Sequence, residues 1–213
     1  FLVHARLEGH LVFQPFDALG DLPALAAAWP GLGVVGSPFQ VTSAVNLLPA
    51  GHQPRWFFTS GDVVSRNAVI SVLERFPSAA FHVVYGLAEL AGRFFINTNH
   101  RGGANLPDAL GAPIPGAVAS VRDGHMMVEA DYLFQGYLID DRFVPAQHPH
   151  DSGDVVEQVD EHYFFVGRSN AEVKVLGNKV NLTHLETKAK NALGTDELAV
   201  IAIPDPRFGN LLA

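Results

Sequence analysis

Cysteine is absent from the 213 residues, which removes disulfides, thiolate–zinc sites and cysteine nucleophiles together. A reducing cytoplasm suits such a chain and is its expected location. Charge is sparse as well. Only 17% of residues are Asp, Glu, Lys or Arg, and 14 bases against 22 acids leave a net charge of -8. That balance gives no sequence-wide basic surface, so no nucleic-acid partner is expected. Gly, Pro or a charge interrupts every apolar run before the roughly 18–20 residues a membrane-spanning helix needs, so no membrane insertion is expected either. The first residues, Phe1-Leu2-Val3-His4-Ala5-Arg6, lack the basic start and cleavage pattern of a signal peptide. An initiating Met is missing too, which makes a piece of a longer protein or a processed product the expectation.

What is present is apolar material. At 48% hydrophobic residues the chain can bury a sizeable core, as one large domain or one and a fraction. Asp17 can cap a helix from Ala18 to Trp29, stopped by Pro30-Gly31, and Gly33-Val34-Val35 reads as a short buried strand. Arg55 to Thr59 is a second strand, and Ser65 a plausible cap. Val69, Val72, Leu73 and Phe76 then share one helical face. Phe81-His82-Val83-Val84 is the next strand, and this alternation predicts a layered α/β arrangement. From Gly111 the pattern changes to short strands and tight turns. Asp123-Gly124 joins Ala117–Arg122 to His125–Glu129 as a hairpin, and Val155–Val159 pairs with His162–Val166. Glu172 to Leu176 is another strand. Thr183-His184-Leu185-Glu186 has the capping-box pattern of a helix ending near Gly194, and Leu198 to Ile203 is the last strand.

Two patterns look chemical without supporting chemistry. Gly31-Leu32-Gly33-Val34-Val35-Gly36 matches G-x-G-x-x-G, but a helix precedes it and Pro38 follows, whereas a dinucleotide fingerprint sits between a strand and a helix N-terminus. His148-Pro149-His150-Asp151 has metal-ligand residue types in a loop but no evident further ligands.

Three other segments, taken in order, carry a family likeness. Tyr85-Gly86-Leu87-Ala88-Glu89 looks like a Y-G-x-T-E motif. Leu133-Phe134-Gln135-Gly136-Tyr137 followed by Ser152-Gly153-Asp154 resembles the segment leading to a T-G-D motif. Gly167-Arg168-Ser169-Asn170-Ala171-Glu172-Val173-Lys174-Val175-Leu176-Gly177 resembles G-R-x-D-x-x-x-K-x-x-G. Together they resemble the adenylate-forming superfamily of acyl- and aryl-CoA ligases, peptide-synthetase adenylation domains and luciferases. Phe57 to Asp62 and Val200 to Ala213 extend the likeness over nearly the whole chain.

The resemblance implies ATP and Mg²⁺ as cofactors. It also implies a small carboxylic acid as substrate, and CoA or the phosphopantetheine of an acyl carrier protein as thiol acceptor. It further implies that Tyr85 lies against adenine and that Gly61, Asp62 and Gly86 approach the nucleotide. Asp154 would accept hydrogen bonds from the ribose hydroxyls, and Arg168 would donate to ribose or phosphate. Glu89 would be a catalytic group and the metal ligand, a hard carboxylate for a hard cation. Asn170 would be the hinge about which a C-terminal domain rotates. Lys174 would sit on the loop that swings towards the acyl-adenylate as a second catalytic residue, although an exposed strand lysine reads the same way. Leu90, Ala91 and Gly92, with a wall from Ser37 to Phe39, would line an apolar pocket for an aryl or aliphatic acid.

The implied fold is α/β. A layered α/β subdomain over 1–110 is followed by a small β-barrel-like subdomain over 111–167, a hinge over 168–172, and the start of an α+β C-terminal domain over 173–213. Three departures stand out. Ala88 replaces a Thr, Ser152 replaces another, and Asn170 replaces a charged hinge residue. The family's Ser/Thr/Gly-rich phosphate loop and its catalytic lysine have no counterpart in the sequence. The chain alone is therefore expected to be inactive, and a degenerate, non-catalytic nucleotide-binding relative is the alternative.

Overall fold

The computed structural model describes residues 20–29, 31–175, 178–195, 197–205 and 207–213. Helix α1 (Leu22–Ala28) precedes a five-stranded sheet made of β1 (Val34–Gly36), β2 (Trp56–Ser60), β3 (Ala80–Tyr85), β4 (Phe95–Asn99) and β5 (Ala112–Pro113), in that spatial order. β1, β2 and β3 are parallel, and β4 and β5 are antiparallel to their neighbours. Parallel neighbours require crossovers, which α2 (Pro38–Leu47) and α3 (Arg66–Arg75) supply. In α3 the Ser65 side chain accepts from the Ala68 N–H at 3.1 Å. Val69, Val72 and Leu73, with Phe76 at the C-cap, are buried with Phe57 and Phe81, as their spacing predicts. Each such side chain stabilises the fold by about 1.5–3 kcal/mol.

Several local expectations need correction. The strand expected to be buried at Gly33–Val35 pairs on one side only among the described residues, and Val35 is 63% exposed. Helix α2 was not anticipated. Ser37 and Gln40 close a capping box around it, with Pro38 in the first turn, an arrangement that satisfies two otherwise orphaned N–H groups. The expected helix start at Asp17-Ala18 lies outside the described residues.

The second half forms a four-stranded antiparallel half-barrel sheet, order β11-β10-β7-β6, from β6 (Ala117–Arg122), β7 (His125–Ala130), β10 (His150–Val159) and β11 (His162–Arg168). Asp123 and Gly124 join β6 to β7 with φ of 53° and 81°, the conformation their hairpin signal requires. Between β7 and β10 stands an unanticipated hairpin, β8 (Gly136–Ile139) with β9 (Arg142–Pro145), turning through Asp140 and Asp141 at φ of 48° and 61°. A second core of Leu87, Leu90, Phe94, Phe95, Met126 and Val156 joins this sheet to the end of the first.

Beyond a 3-10 turn (Ser169–Ala171) come β12 (Glu172–Val175), β13 (Asn178–Asn181), α4 (Leu182–Leu193), β14 (Ala202–Asp205) and β15 (Gly209–Leu212). Leu176, expected to end the strand at Glu172, lies outside the described residues, as does Gly177. The capping box at Thr183–Glu186 does not form. The cap is Asn181, whose Oδ1 accepts from the His184 N–H at 3.2 Å. Glu186 instead pairs with Lys190 at 2.7 Å and accepts from the Val200 N–H at 3.0 Å. Those partners, the Lys190 hydrogen bond foremost, hold its carboxyl below the usual range. The last strand covers Ala202–Asp205 rather than Leu198–Ile203, and Ile201 extends its pairing to Ala213 through backbone hydrogen bonds of 2.9 and 3.1 Å.

Candidate functional site

The C-terminal ends of β2 and β3 open onto a cavity of ≈ 510 Å³, a volume within the range of small-molecule sites. Gly61 and Asp62 follow β2, and Tyr85 and Gly86 end β3. Asp154 and Arg168 enter from the half-barrel sheet, and all six line the cavity. Asp154 and Arg168 face each other in the β10–β11 register. β10 is irregular here, against β11 between Val155 and Val156 and against β7 between Asp151 and Val155. The Ser152 hydroxyl donates to the Met126 carbonyl at 2.8 Å and accepts from the Asp154 N–H at 3.1 Å, so it supports this bulge directly.

Asp154 is only 1% exposed. Its Oδ2 accepts a hydrogen bond from the Tyr85 hydroxyl. Its Oδ1 lies 2.6 Å from Arg168 Nε, but among the described residues no donor is aligned with it. Burial raises the Asp154 pKa, against the Tyr85 hydrogen bond and the Arg168 charge, which lower it. Burial likewise drives the Tyr85 phenol far above its ordinary range, and the Asp154 hydrogen bond adds to this. Tyr85 also packs edge-on to Phe95 at 6.0 Å and against Phe165 at 6.3 Å.

Glu89 lies on the 3-10 turn Ala88–Leu90 that follows β3, outside the residues lining the cavity. Its Oε1 accepts from the Tyr137 hydroxyl at 2.9 Å. Burial is the main cause of the raised Asp154 pKa, and the Glu89 charge adds to it. The carboxylates at 89 and 154 therefore share one electrostatic field.

Other expected residues are not brought here. Leu90 is 0% exposed within the second core, so its side chain faces packing rather than a ligand. Ala91 and Gly92 are exposed on the turn, and Ser37 to Phe39 open α2; none of these lines the cavity. Lys174 is exposed on β12, where its carbonyl accepts from Asn210 Nδ2 at 2.9 Å. Asn170 is exposed in the turn between β11 and β12. His150 is buried against Phe134, with ring centroids 5.0 Å apart, while Asp151 pairs with His125 at 3.1 Å.

Sequence reasoning missed two contributors. One is the polar face of α4, where Thr183, His184, Thr187 and Lys188 close one side of the cavity, a role with no local signal. The other is Asn97, buried on β4, whose Nδ2 donates to the Leu106 and Ala109 carbonyls at 2.7 Å each. It pins the loop that carries Pro107, Asp108 and Ala109 to the cavity lip. Asn97→Ala leaves both carbonyls short of a donor, so a loss of about 1–3 kcal/mol is expected. Faster amide exchange should appear around residues 106–110, and unchanged exchange there would refute the pinning role.

With this geometry established, the chain proves a partial match to the adenylate-forming superfamily. In sequence it is 25% identical over 157 residues to a D-alanine--D-alanyl carrier protein ligase of Staphylococcus aureus, covering 69% of this chain and 32% of that protein. In fold it resembles an E. coli MenE variant with bound OSB-AMS at a TM-score of 0.73 and 16% identity, over 89% of this chain and 42% of that one. It also resembles ATP-bound MatB from Rhodopseudomonas palustris at 0.71 and 20% identity, over 99% of this chain and 45% of the other. No family model matches the chain. The chain spans less than half the length of these relatives.

Proposed function

We propose that this chain is the nucleoside-holding part of an AMP-forming ligase. Such an enzyme activates a carboxylic acid, aryl or acyl, with ATP and passes the acyl group to a thiol, either CoA or the phosphopantetheine of a carrier protein. The observation that carries this reading is the buried Asp154 carboxylate on the cavity wall, flanked by Tyr85 and Arg168.

The cradle suits ribose. Asp154 Oδ1 is an acceptor without an aligned donor, which is what a ribose hydroxyl supplies. Arg168, with its side chain 54% exposed, is free to turn from Asp154 towards an incoming phosphate. Tyr85 and Phe165 supply aromatic wall for a base. Attack of a carboxylate on the α-phosphorus brings two anions together, so neutralisation and positioning dominate the energetics. Mg²⁺ would supply Lewis-acid charge neutralisation between phosphate oxygens. Among the described residues no group of three or more acids or histidines is placed to cage a metal. A lone Glu89 still fits Mg²⁺, which usually takes one or two carboxylates and completes its shell with phosphate and water. Asn170, exposed between β11 and β12, fits a hinge, and Lys174 would act only after movement about it.

ATP–pyrophosphate exchange with a panel of aryl and aliphatic acids tests the reading. The 213-residue chain should stay at background yet bind a non-hydrolysable acyl-adenylate analogue by calorimetry. A protein carrying the chain together with the remainder of a ligase should exchange. Failure of the chain to bind any adenosine ligand sinks the proposal, and tight binding with no exchange in the longer protein favours a nucleotide-sensing relative.

A further inference from the structure

Glu89 receives two bonds from one short stretch of chain. Its backbone carbonyl accepts from the Phe134 N–H at 2.8 Å, and its Oε1 accepts from the Tyr137 hydroxyl at 2.9 Å. The first fixes where the turn sits, and the second fixes which way the carboxylate points.

Tyr137 is itself held. Its ring packs on Phe134 at 4.6 Å and 67°, and Phe134 packs on His150 at 5.0 Å and 70°. His150 is buried at the start of β10, with its Nε2 3.4 Å from the Tyr137 oxygen. A phenol has one proton to donate, and here it goes to Glu89. With that proton on Glu89, the contact to His150 Nε2 is a hydrogen bond only in the tautomer that carries its proton on Nε2. Tyr137 thus donates to Glu89 while its oxygen also lies against His150. The half-exposed hairpin residue Tyr137 is thus anchored at its ring by the half-barrel sheet and at its oxygen by the turn after β3.

We propose that Tyr137 is a positioning residue for the Glu89 carboxylate, holding Oε1 so that Oε2 is presented to a nucleotide-bound divalent cation. This rests on the reading of Glu89 as the cation-facing carboxylate. A glutamate side chain has several rotamers of similar energy, and freezing them before the ligand arrives lowers the entropy lost on binding. A neutral phenol suits that task better than a cation, because it orients the carboxylate without cancelling the charge that attracts the metal.

The test compares affinity for α,β-methylene-ATP with and without Mn²⁺ by calorimetry, and takes the ratio as the metal's contribution. Tyr137→Phe keeps the ring and its packing and removes only the hydroxyl. The ratio should fall three- to tenfold while metal-free affinity and melting temperature stay at wild-type values. Glu89→Gln is the control for the underlying reading and should collapse the ratio towards one. If Glu89→Gln leaves the ratio unchanged, Glu89 does not face the cation and the inference falls with it. If Glu89→Gln lowers the ratio and Tyr137→Phe does not, the positioning role alone is overturned. A Tyr137→Phe loss of metal-free affinity and melting temperature, with the ratio intact, would mark the hydroxyl as merely structural and also overturn it.

Discussion

Asp154→Asn is expected to weaken binding of an adenosine ligand by at least about 10²-fold while leaving thermal stability equal to wild type or higher. The two effects have different causes. Hydrogen bonds to a charged acceptor contribute about 1.5–3 kcal/mol each, so two ribose hydroxyls on one carboxylate amount to about 3–6 kcal/mol, or two to four decades of affinity. Stability runs the other way because the carboxylate is buried and its pKa is raised, burial being the largest cause. In the folded state the charged form is the disfavoured one. Removing one partner of a buried ion pair usually strands a charge at high cost, but Arg168 is half-exposed and returns to water. A neutral amide of the same shape therefore relieves more than it loses.

The sign of the accompanying pH effect is fixed. A group with a raised folded pKa contributes stability that is complete below its unfolded pKa, near 3.8, and is lost as pH rises through the folded value. Wild type should shed this contribution upward from about pH 4, and Asp154→Asn should not. Glu186, with its lowered pKa, acts in the opposite sense, contributing above its unfolded value and losing that contribution on acidification. Melting curves from pH 3 to 8 for both proteins, with calorimetry of the analogue, check the prediction. A variant that melts well below wild type at pH 7 would show that the charge is a net stabiliser.

Gly86→Ala should be strongly destabilising. A Cβ at Gly86 would lie 2.0 Å from the Gly92 carbonyl oxygen and 2.7 Å from the Arg93 nitrogen. Both are backbone atoms that cannot swing aside. The turn from 86 to 93 is closed by the Gly92 N–H on the Leu87 carbonyl at 2.8 Å and the Phe94 N–H on the Tyr85 carbonyl at 2.9 Å. Opening it to admit a methyl breaks these bonds and shifts Leu90 and Phe94 in the second core. A loss of about 3–5 kcal/mol is expected, or on the order of 6–20 °C in melting temperature for a chain of this size. Glu89 moves with the turn, so Mn²⁺-dependent nucleotide binding should fall even under conditions where the variant stays folded. A melting temperature within a few degrees of wild type would show that the turn yields easily. Gly86 thus has a packing reason for being glycine that is independent of its position on the cavity wall.

Much of the site was readable as residue types but not as geometry. Tyr85 and Asp154 are 69 positions apart, and only their motif contexts joined them. That the phenol itself donates to the carboxylate follows from the β10 bulge, which depends on the Met126 carbonyl and the Ser152 hydroxyl. Leu90 shows the converse. It stands beside a motif and reads as pocket lining, yet the 3-10 turn directs it into the core, where burying an apolar side chain is favourable. Tyr137 was part of a recognisable segment, but its hydroxyl acquires meaning only where the β8–β9 hairpin meets the turn after β3.

The sequence by itself determined the elements whose signals are local. These include the capped apolar face of α3, the Asp123-Gly124 hairpin and the order of the motifs that end in Tyr85, Asp154 and Arg168. Short-range periodicity and turn stereochemistry are sufficient for those. Only the tertiary structure decided where equally plausible local signals compete. The sequence points to a capping box at Thr183, but the cap is Asn181, whose Nδ2 also donates to the Arg168 carbonyl at 3.0 Å. Leu198 to Ile203 reads as a strand, yet the ladder takes up only the end of that stretch and runs on to Asp205, paired with β15. The cavity itself belongs to that second class, since its walls come from the first sheet, the half-barrel and α4, which meet only once the backbone hydrogen bonds and the two cores have fixed their positions.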